Sequence, residues 1–188
     1  MSQYILETKE IEYEYPDNTQ ALQGISLGME RGKKIAVMGP NGAGKSTLFL
    51  HFNGILKPKK GRVFFNGRKI EYNRRHLTEL RKKVGIVFQD PDTQIFAGTV
   101  FLEVSFGPMN LKLGNDEVKK RVNKAIDDAG LRDLAEKPTH LLSYGQKKRV
   151  CIAGVLAMEP EVIIFDEPTA YLDPNHSQIL MHTLDELH

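Results

Sequence analysis

Residues 39–47 read GPNGAGKST, and Gly39, Gly44, Lys45 and Ser46 stand at the spacing G-x-x-x-x-G-K-[ST]. From average composition, four fixed positions of this kind recur by chance in a chain this long on the order of one time in a hundred. Gly39, Gly42 and Gly44, with Pro40, Asn41 and Ala43 between them, let the backbone curl until several amides face one anion. A helix starting near Lys45 adds its positive end, the Lys45 ammonium faces outer phosphates, and the Ser46 hydroxyl, next to Thr47, suits magnesium. The chemistry on offer is the cradling of a phosphate chain. A glycine-rich turn that binds nothing is the alternative, and the flanking apolar strand and helix argue against it.

Two further groups carry chemistry. VIIFDE (162–167) is an apolar run ending in two carboxylates, which places Asp166 and Glu167 at the carboxyl end of a strand, where open α/β sheets bind ligands. Neighbours on a strand point apart and take different jobs. Asp166 is expected to hold a magnesium shell with Ser46, and Glu167 to polarise a water attacking the γ-phosphate. LLSYGQKKRV (141–150) is a second anion-friendly stretch, with a hydroxyl at Ser143, a glycine at Gly145 and a basic helical segment beginning near Gln146. One domain has no evident need of two phosphate cradles.

The elements around these residues alternate. Ile11, Tyr13 and Tyr15 alternate with glutamates as a half-exposed strand ending at Pro16, and 21–30 predicts another. KKIAVMG (33–39) reads as a buried strand feeding the loop, 46–54 as a helix with Leu48, Phe49 and Phe52 on one face and Gly54 as its stop, and 61–67 and 83–89 as strands. Between Gln89 and Ser143 the pattern is helical. Over 115–130 the residues Val118, Val122, Ala125, Ile126 and Ala129 form a stripe, with Asn115 as cap and Gly130 as terminator. A helix then runs to about Met158, followed by the strand 161–168 and a last helix. The pattern predicts an α/β fold with a largely parallel sheet and an inserted helical subdomain.

At 188 residues, with 40% hydrophobic and 27% charged, the chain is long enough for one domain with a substantial core. A net charge of +2 does not argue for a nucleic-acid binder, which wants a concentrated basic face. Cys151, the single cysteine, rules out an intrachain disulfide, suits a reducing compartment, and sits in an apolar helical stretch as a buried thiol. The N-terminus lacks a basic-then-apolar secretory pattern, and runs such as 162–165 fall far short of the roughly 20 residues of a membrane span.

With these motifs in this order, the sequence resembles the ATP-binding subunits of ABC transporters over nearly its whole length. Gly39–Thr47 matches the Walker A loop, Gln89 the glutamine of the Q-loop, LSYGQ (142–146) the signature, 162–167 the Walker B strand and AYLD (170–173) the D-loop. The resemblance implies a P-loop NTPase with an N-terminal antiparallel β subdomain, a nucleotide-binding core over 1–89 and 161–188, and a helical signature subdomain over about 90–160. It implies ATP and Mg²⁺ as ligands, with Tyr15 stacking on adenine and Gln89 touching the metal and sensing the transporter. A strand-face tyrosine is the competing account of Tyr15. It also answers the riddle of two cradles, because in this family two ATPases pair head to tail. Ser143, Gly145, Gln146 and Asp173 then serve the partner's nucleotide. The sequence departs from the pattern at Tyr144, where glycine is most frequent, and at Tyr171, where a small residue is usual.

VGIVFQDPDTQIFAGTVFLEVSFGPMNL (84–111) is similar to the ATPases of energy-coupling-factor importers, and 66–85 to their cobalt-uptake members. That implies an ATP-hydrolysing subunit of a cobalt, nickel or vitamin importer, held peripherally at the cytoplasmic membrane face. Its partners would be a second ATPase, identical or not, a membrane-spanning scaffold and a substrate-binding subunit, without nucleic acid. The alternatives are a non-transport ATPase of the same family and a nucleotide-binding but catalytically silent chain. The second alternative comes from the terminus. Ile179, Leu180, Thr183, Leu184 and Leu187 make a helix face that ends without glycine, proline or cap. Family members continue into a strand carrying a switch histidine, whereas His176, His182 and His188 lie too early and are expected to be solvated. The expectation is a C-terminally truncated form that binds ATP poorly, hydrolyses it slowly and exposes apolar sheet surface.

Overall fold

The computed structural model describes residues 3–170, which divide into two compact units between Val84 and Gly85. Tyr171, Asp173, the three late histidines and the last predicted helix lie outside the described residues.

The first unit is built on an antiparallel sheet of order β2-β1-β3-β4, formed by β1 (Tyr4–Glu14), β2 (Gln20–Glu30), β3 (Lys60–Phe65) and β4 (Arg68–Lys69). Short local turns dictate that direction for the β1–β2 and β3–β4 pairs. Asn66 and Gly67, both at positive φ, close the β3–β4 hairpin, as the Asn-Gly pair favours. Helix α1 (Lys45–Phe52) buries Leu48 and Phe52 in a unit whose sheet buries Leu6, Ile11 and Val63, each such side chain contributing about 1.5–3 kcal/mol. Helix α2 (Arg74–Lys83) was not evident from the sequence. It is capped by Asn73, whose side chain accepts from the His76 amide at 2.9 Å.

Two expectations are corrected here. Residues 33–40 form no strand: Ile35 is 48% and Met38 91% exposed. An apolar run becomes a strand only when a neighbour completes its ladder, and among the described residues none pairs with this one. The larger described sheet is antiparallel, the N-terminal β subdomain that the resemblance implies, and not part of a largely parallel sheet.

The second unit pairs β5 (Val84–Val87), which begins at the boundary, with β6 (Val162–Phe165). Around them lie α3 (Val100–Asn110), α4 (Asn115–Asp128) and α5 (Tyr144–Leu156). The α4 stripe is buried as expected, with Val122, Ala125 and Ile126 meeting Val100, Val104, Leu131, Val150 and Ala153. The N-cap of α4 is Gly114, not Asn115, which is already inside the helix, and no side chain caps it. Gly130, at φ 61, follows the helix as its terminator. Cys151 is buried with Val87, Ile152 and Val155, and burial pushes its thiol up to about 12, so it is inert as a nucleophile.

Candidate active site

Gly39 to Gly44 form an exposed to half-exposed loop ahead of α1. Gly42 and Gly44 both take left-handed φ, at 81° and 84°. At Gly42 nothing lies within 4 Å of where a Cβ would stand, whereas at Gly44 it would meet the Ala21 carbonyl oxygen at 2.3 Å. Both replacements by alanine carry about 1–2 kcal/mol of left-handed strain. Gly44→Ala adds a backbone collision, so its denaturation midpoint is expected to fall clearly below that of Gly42→Ala. Equal midpoints in urea unfolding would show that the Gly44 contact is not restrictive.

The Lys45 Nζ donates to the Gly39 and Pro40 carbonyls, each at 3.0 Å, and lies over the loop it follows. Ser46 is exposed at the start of α1 and Thr47 is buried. Tyr15 shares a hydrogen bond of 3.0 Å between its phenol and the Thr47 hydroxyl, and its ring meets Tyr13 edge-on at 5.1 Å. Tyr13 in turn meets the His51 ring at 4.9 Å. His51 is fully buried and its Nδ1 donates to the Thr47 carbonyl at 2.7 Å. Burial pushes the His51 imidazole below its ordinary pKa, against the opposing pull of that carbonyl. Two edge-on ring contacts, Tyr15 to Tyr13 and Tyr13 to His51, thus back the helix that follows the loop, and His51 is itself part of that helix.

In the second unit, Asp166 is 7% exposed at the end of β6, and its amide donates to the Val87 carbonyl at 3.0 Å. Glu167 is the next residue, half-buried and at φ 46, a conformation that costs a non-glycine residue about 1–3 kcal/mol. Its Oε2 accepts from the Gln89 Nε2 at 2.9 Å. Two residues far apart in sequence are therefore in direct contact. The strand stops at Phe165, so Asp166 and Glu167 both lie just beyond it, and their different environments follow from the left-handed turn at Glu167 rather than from strand alternation.

The signature segment differs from the expectation in one respect. Helix α5 starts at Tyr144, not near Gln146, so Gly145 and Gln146 are helical. Ser143 is its N-cap. The Ser143 hydroxyl accepts from the Gln146 amide at 3.3 Å while the Gln146 Oε1 accepts from the Ser143 amide at 3.0 Å, a reciprocal capping box. The S-x-x-Q spacing carries that signal. The cap uses a lone pair of the hydroxyl and leaves its proton for another acceptor. Nothing in the basic run singles out Lys148, yet it is 1% exposed, with Nζ donating to the Phe88 and Gln89 carbonyls at 2.9 and 2.7 Å. Burial pushes its ammonium below the ordinary lysine value.

A family profile described as ABC transporter matches residues 22–170. The chain belongs to the ABC transporter family and carries its ATPase domain, a P-loop NTPase fold with an antiparallel N-terminal sheet and helices. Within that family it is similar to ATP-binding proteins of energy-coupling factor transporters. It is 53% identical over 187 residues to EcfA3 of Clostridium perfringens, covering 100% of this chain and 66% of that protein. It is 55% identical over 184 residues to EcfA of Methanocaldococcus jannaschii, covering 98% of this chain and again 66% of the relative. The chain thus spans slightly less than two thirds of the length of these relatives. Among solved structures, cbiO1 of Clostridium perfringens, described as part of the ABC transporter complex cbiONQ, superposes with a TM-score of 0.88 at 53% identity. That likeness covers 99% of this chain and 74% of the other. A dimeric ATP-binding cassette in a post-hydrolysis state with ADP and Pi superposes at 0.85 and 30% identity, covering 97% of this chain and 82% of that one.

Proposed function

We propose that the chain is the ATP-binding and ATP-hydrolysing subunit that powers a membrane importer of the energy-coupling-factor type, with cobalt, nickel or a vitamin as cargo. The observation that carries it is the Gln89 amide on the Glu167 carboxylate at the end of an apolar strand. A general base needs a fixed orientation, and the Gln89 amide gives the Glu167 carboxylate one.

In this proposal Gly39–Thr47 cradles the phosphates of ATP, Tyr15 flanks the adenine, and Glu167 takes a proton from the attacking water. The residues suit magnesium. Among the described residues no group of three His, Cys, Asp or Glu side chains converges as a metal cage. Ser46 and Asp166, with Gln89 beside them in role, supply the few oxygen donors that magnesium takes when substrate phosphates fill the rest of its shell. Held by these residues, magnesium would neutralise charge on the phosphates of ATP. Ser143, Gly145, Gln146 and Asp173 serve the nucleotide of a second ATPase subunit, identical or related.

Attachment to a membrane-spanning scaffold is supported by an exposed apolar surface. Phe96, Leu102, Phe106 and Met109 are all exposed, and Phe96 and Phe106 meet edge-on at 4.6 Å. The buried Glu103 carboxylate fixes this segment by accepting from the Phe96 and Ala97 amides at 3.0 and 2.7 Å. No helix among the described residues is long and apolar enough to cross a membrane. The position proposed is peripheral, at the cytoplasmic face.

Lys45→Ala tests nucleotide binding. The carbonyls that Lys45 touches are exposed, so water replaces the ammonium there and the fold is little affected. The phosphates lose a charge-assisted bond, and ATP binding is expected to weaken by about 1.5–3 kcal/mol. Calorimetric titration with ATP checks this, and equal affinities would remove the phosphate-cradle assignment.

A further inference from the structure

Helix α5 holds residues 88–92 of the second unit with several side chains. The Tyr144 hydroxyl donates to the Gln89 carbonyl at 2.9 Å, and the Lys148 Nζ donates to the same carbonyl at 2.7 Å and to that of Phe88 at 2.9 Å. The Lys147 Nζ meets the Asp92 Oδ1 at 2.6 Å. From the other side the Gln94 side chain accepts from the Phe88 amide at 3.0 Å and donates to the Ile86 carbonyl at 3.2 Å. Gln89 is therefore pinned through its backbone by α5 while its own amide holds Glu167 at 2.9 Å. A buried lysine is costly unless its protons are used, and Lys148 uses two of them on this one stretch of backbone.

We propose that Tyr144 and Lys148 are positioning residues for ATP hydrolysis, tying the signature helix to the catalytic carboxylate of the same chain through Gln89. A shift of α5 moves the Gln89 carbonyl, the backbone carries that shift to the Gln89 amide, and the amide sets the orientation of Glu167. The helix that presents Ser143 to a partner's nucleotide thereby also adjusts the base of its own site. Tyr144 supplies one of the two donors to the Gln89 carbonyl. The inference rests on the hydrolytic function proposed above.

Tyr144→Phe removes only the hydroxyl, and Lys148→Met removes the donor while keeping length. In the intact protein with its partner subunits, each is expected to lower kcat about tenfold, the equivalent of one hydrogen bond, with KM for ATP changed by less than about twofold. Lys148→Met takes the lysine donor from the Phe88 carbonyl, leaves the Gln89 carbonyl with Tyr144 alone and tests folding as well, so Tyr144→Phe is the deciding variant. Because Tyr144 acts through Gln89, Tyr144→Phe in a Gln89→Ala background is expected to add less than about twofold, whereas a general loosening of the fold would add its full effect. Unchanged or increased kcat for Tyr144→Phe, a loss expressed in KM, or full additivity with Gln89→Ala would overturn the inference and leave the hydrolytic function standing. Absence of turnover in the unmodified complex would overturn both.

Discussion

In a full-length chain, Glu167→Gln is expected to keep ATP binding and to lose turnover by about 10²–10⁴-fold, the usual contribution of a positioned general base. Geometry is the reason to expect so clean a separation. The Gln89 amide donates to an oxygen of residue 167, and a glutamine there still offers an oxygen of the same size at the same place. What disappears is the ability to take a proton from water. With hydrolysis stopped, dimers closed on ATP accumulate, so size-exclusion chromatography with ATP and magnesium should show a shift to dimer that the unmodified protein lacks. Phosphate release at the unmodified rate would assign the base to another residue.

Ser143→Arg is expected to abolish hydrolysis while ATP still binds to the altered chain. Its hydroxyl caps α5 through a lone pair, so the substitution costs about 1 kcal/mol of helix stability. The larger effect is functional. On the proposed pairing of two subunits, a hydroxyl proton offered to the γ-phosphate of the partner's ATP would be replaced by a bulky cation, and loss of one such donor costs about 10²–10³-fold in rate before any steric block is added. Mixing this variant with Lys45→Ala protein separates the two contributions. In a mixed dimer, the intact Lys45 of one chain faces the intact Ser143 of the other at one site only, so activity returns to at most one site per dimer. Full activity of the Ser143→Arg homodimer would rule out a shared nucleotide site.

Much of the site was legible because its motifs are contiguous. Gly39 to Thr47 is one stretch in which two left-handed glycines lead straight into the first turn of α1, so the order of residues contains the geometry. The stripe of α4 is equally local: Val122, Ala125 and Ile126 share a helix face by spacing alone, and they are buried. The start of α5 was also written in the sequence, as the S-x-x-Q pair Ser143 and Gln146, although the helix begins two residues earlier than its basic stretch suggests. Helix α2 was harder to see, because Leu77 and Leu80 are nearly its only apolar residues and the stripe is thin.

Residue identity and spacing alone determined the phosphate loop, the strand ending in Asp166 and Glu167, the signature segment and the family to which they point. Tertiary structure alone decided three other things. Residues 33–40 are apolar enough for a strand, but a strand exists only by virtue of a second one beside it, and local sequence cannot supply that neighbour. Tyr15 was readable as an aromatic near the nucleotide, while its bond to Thr47 and the rings of Tyr13 and His51 behind it depend on how β1 lies against α1. Lys148 is one lysine in a basic run, and its burial is set by the carbonyls of Phe88 and Gln89, about sixty residues distant in the chain. A charge can be buried only where donors and acceptors from elsewhere converge on it, and that convergence is a property of the fold.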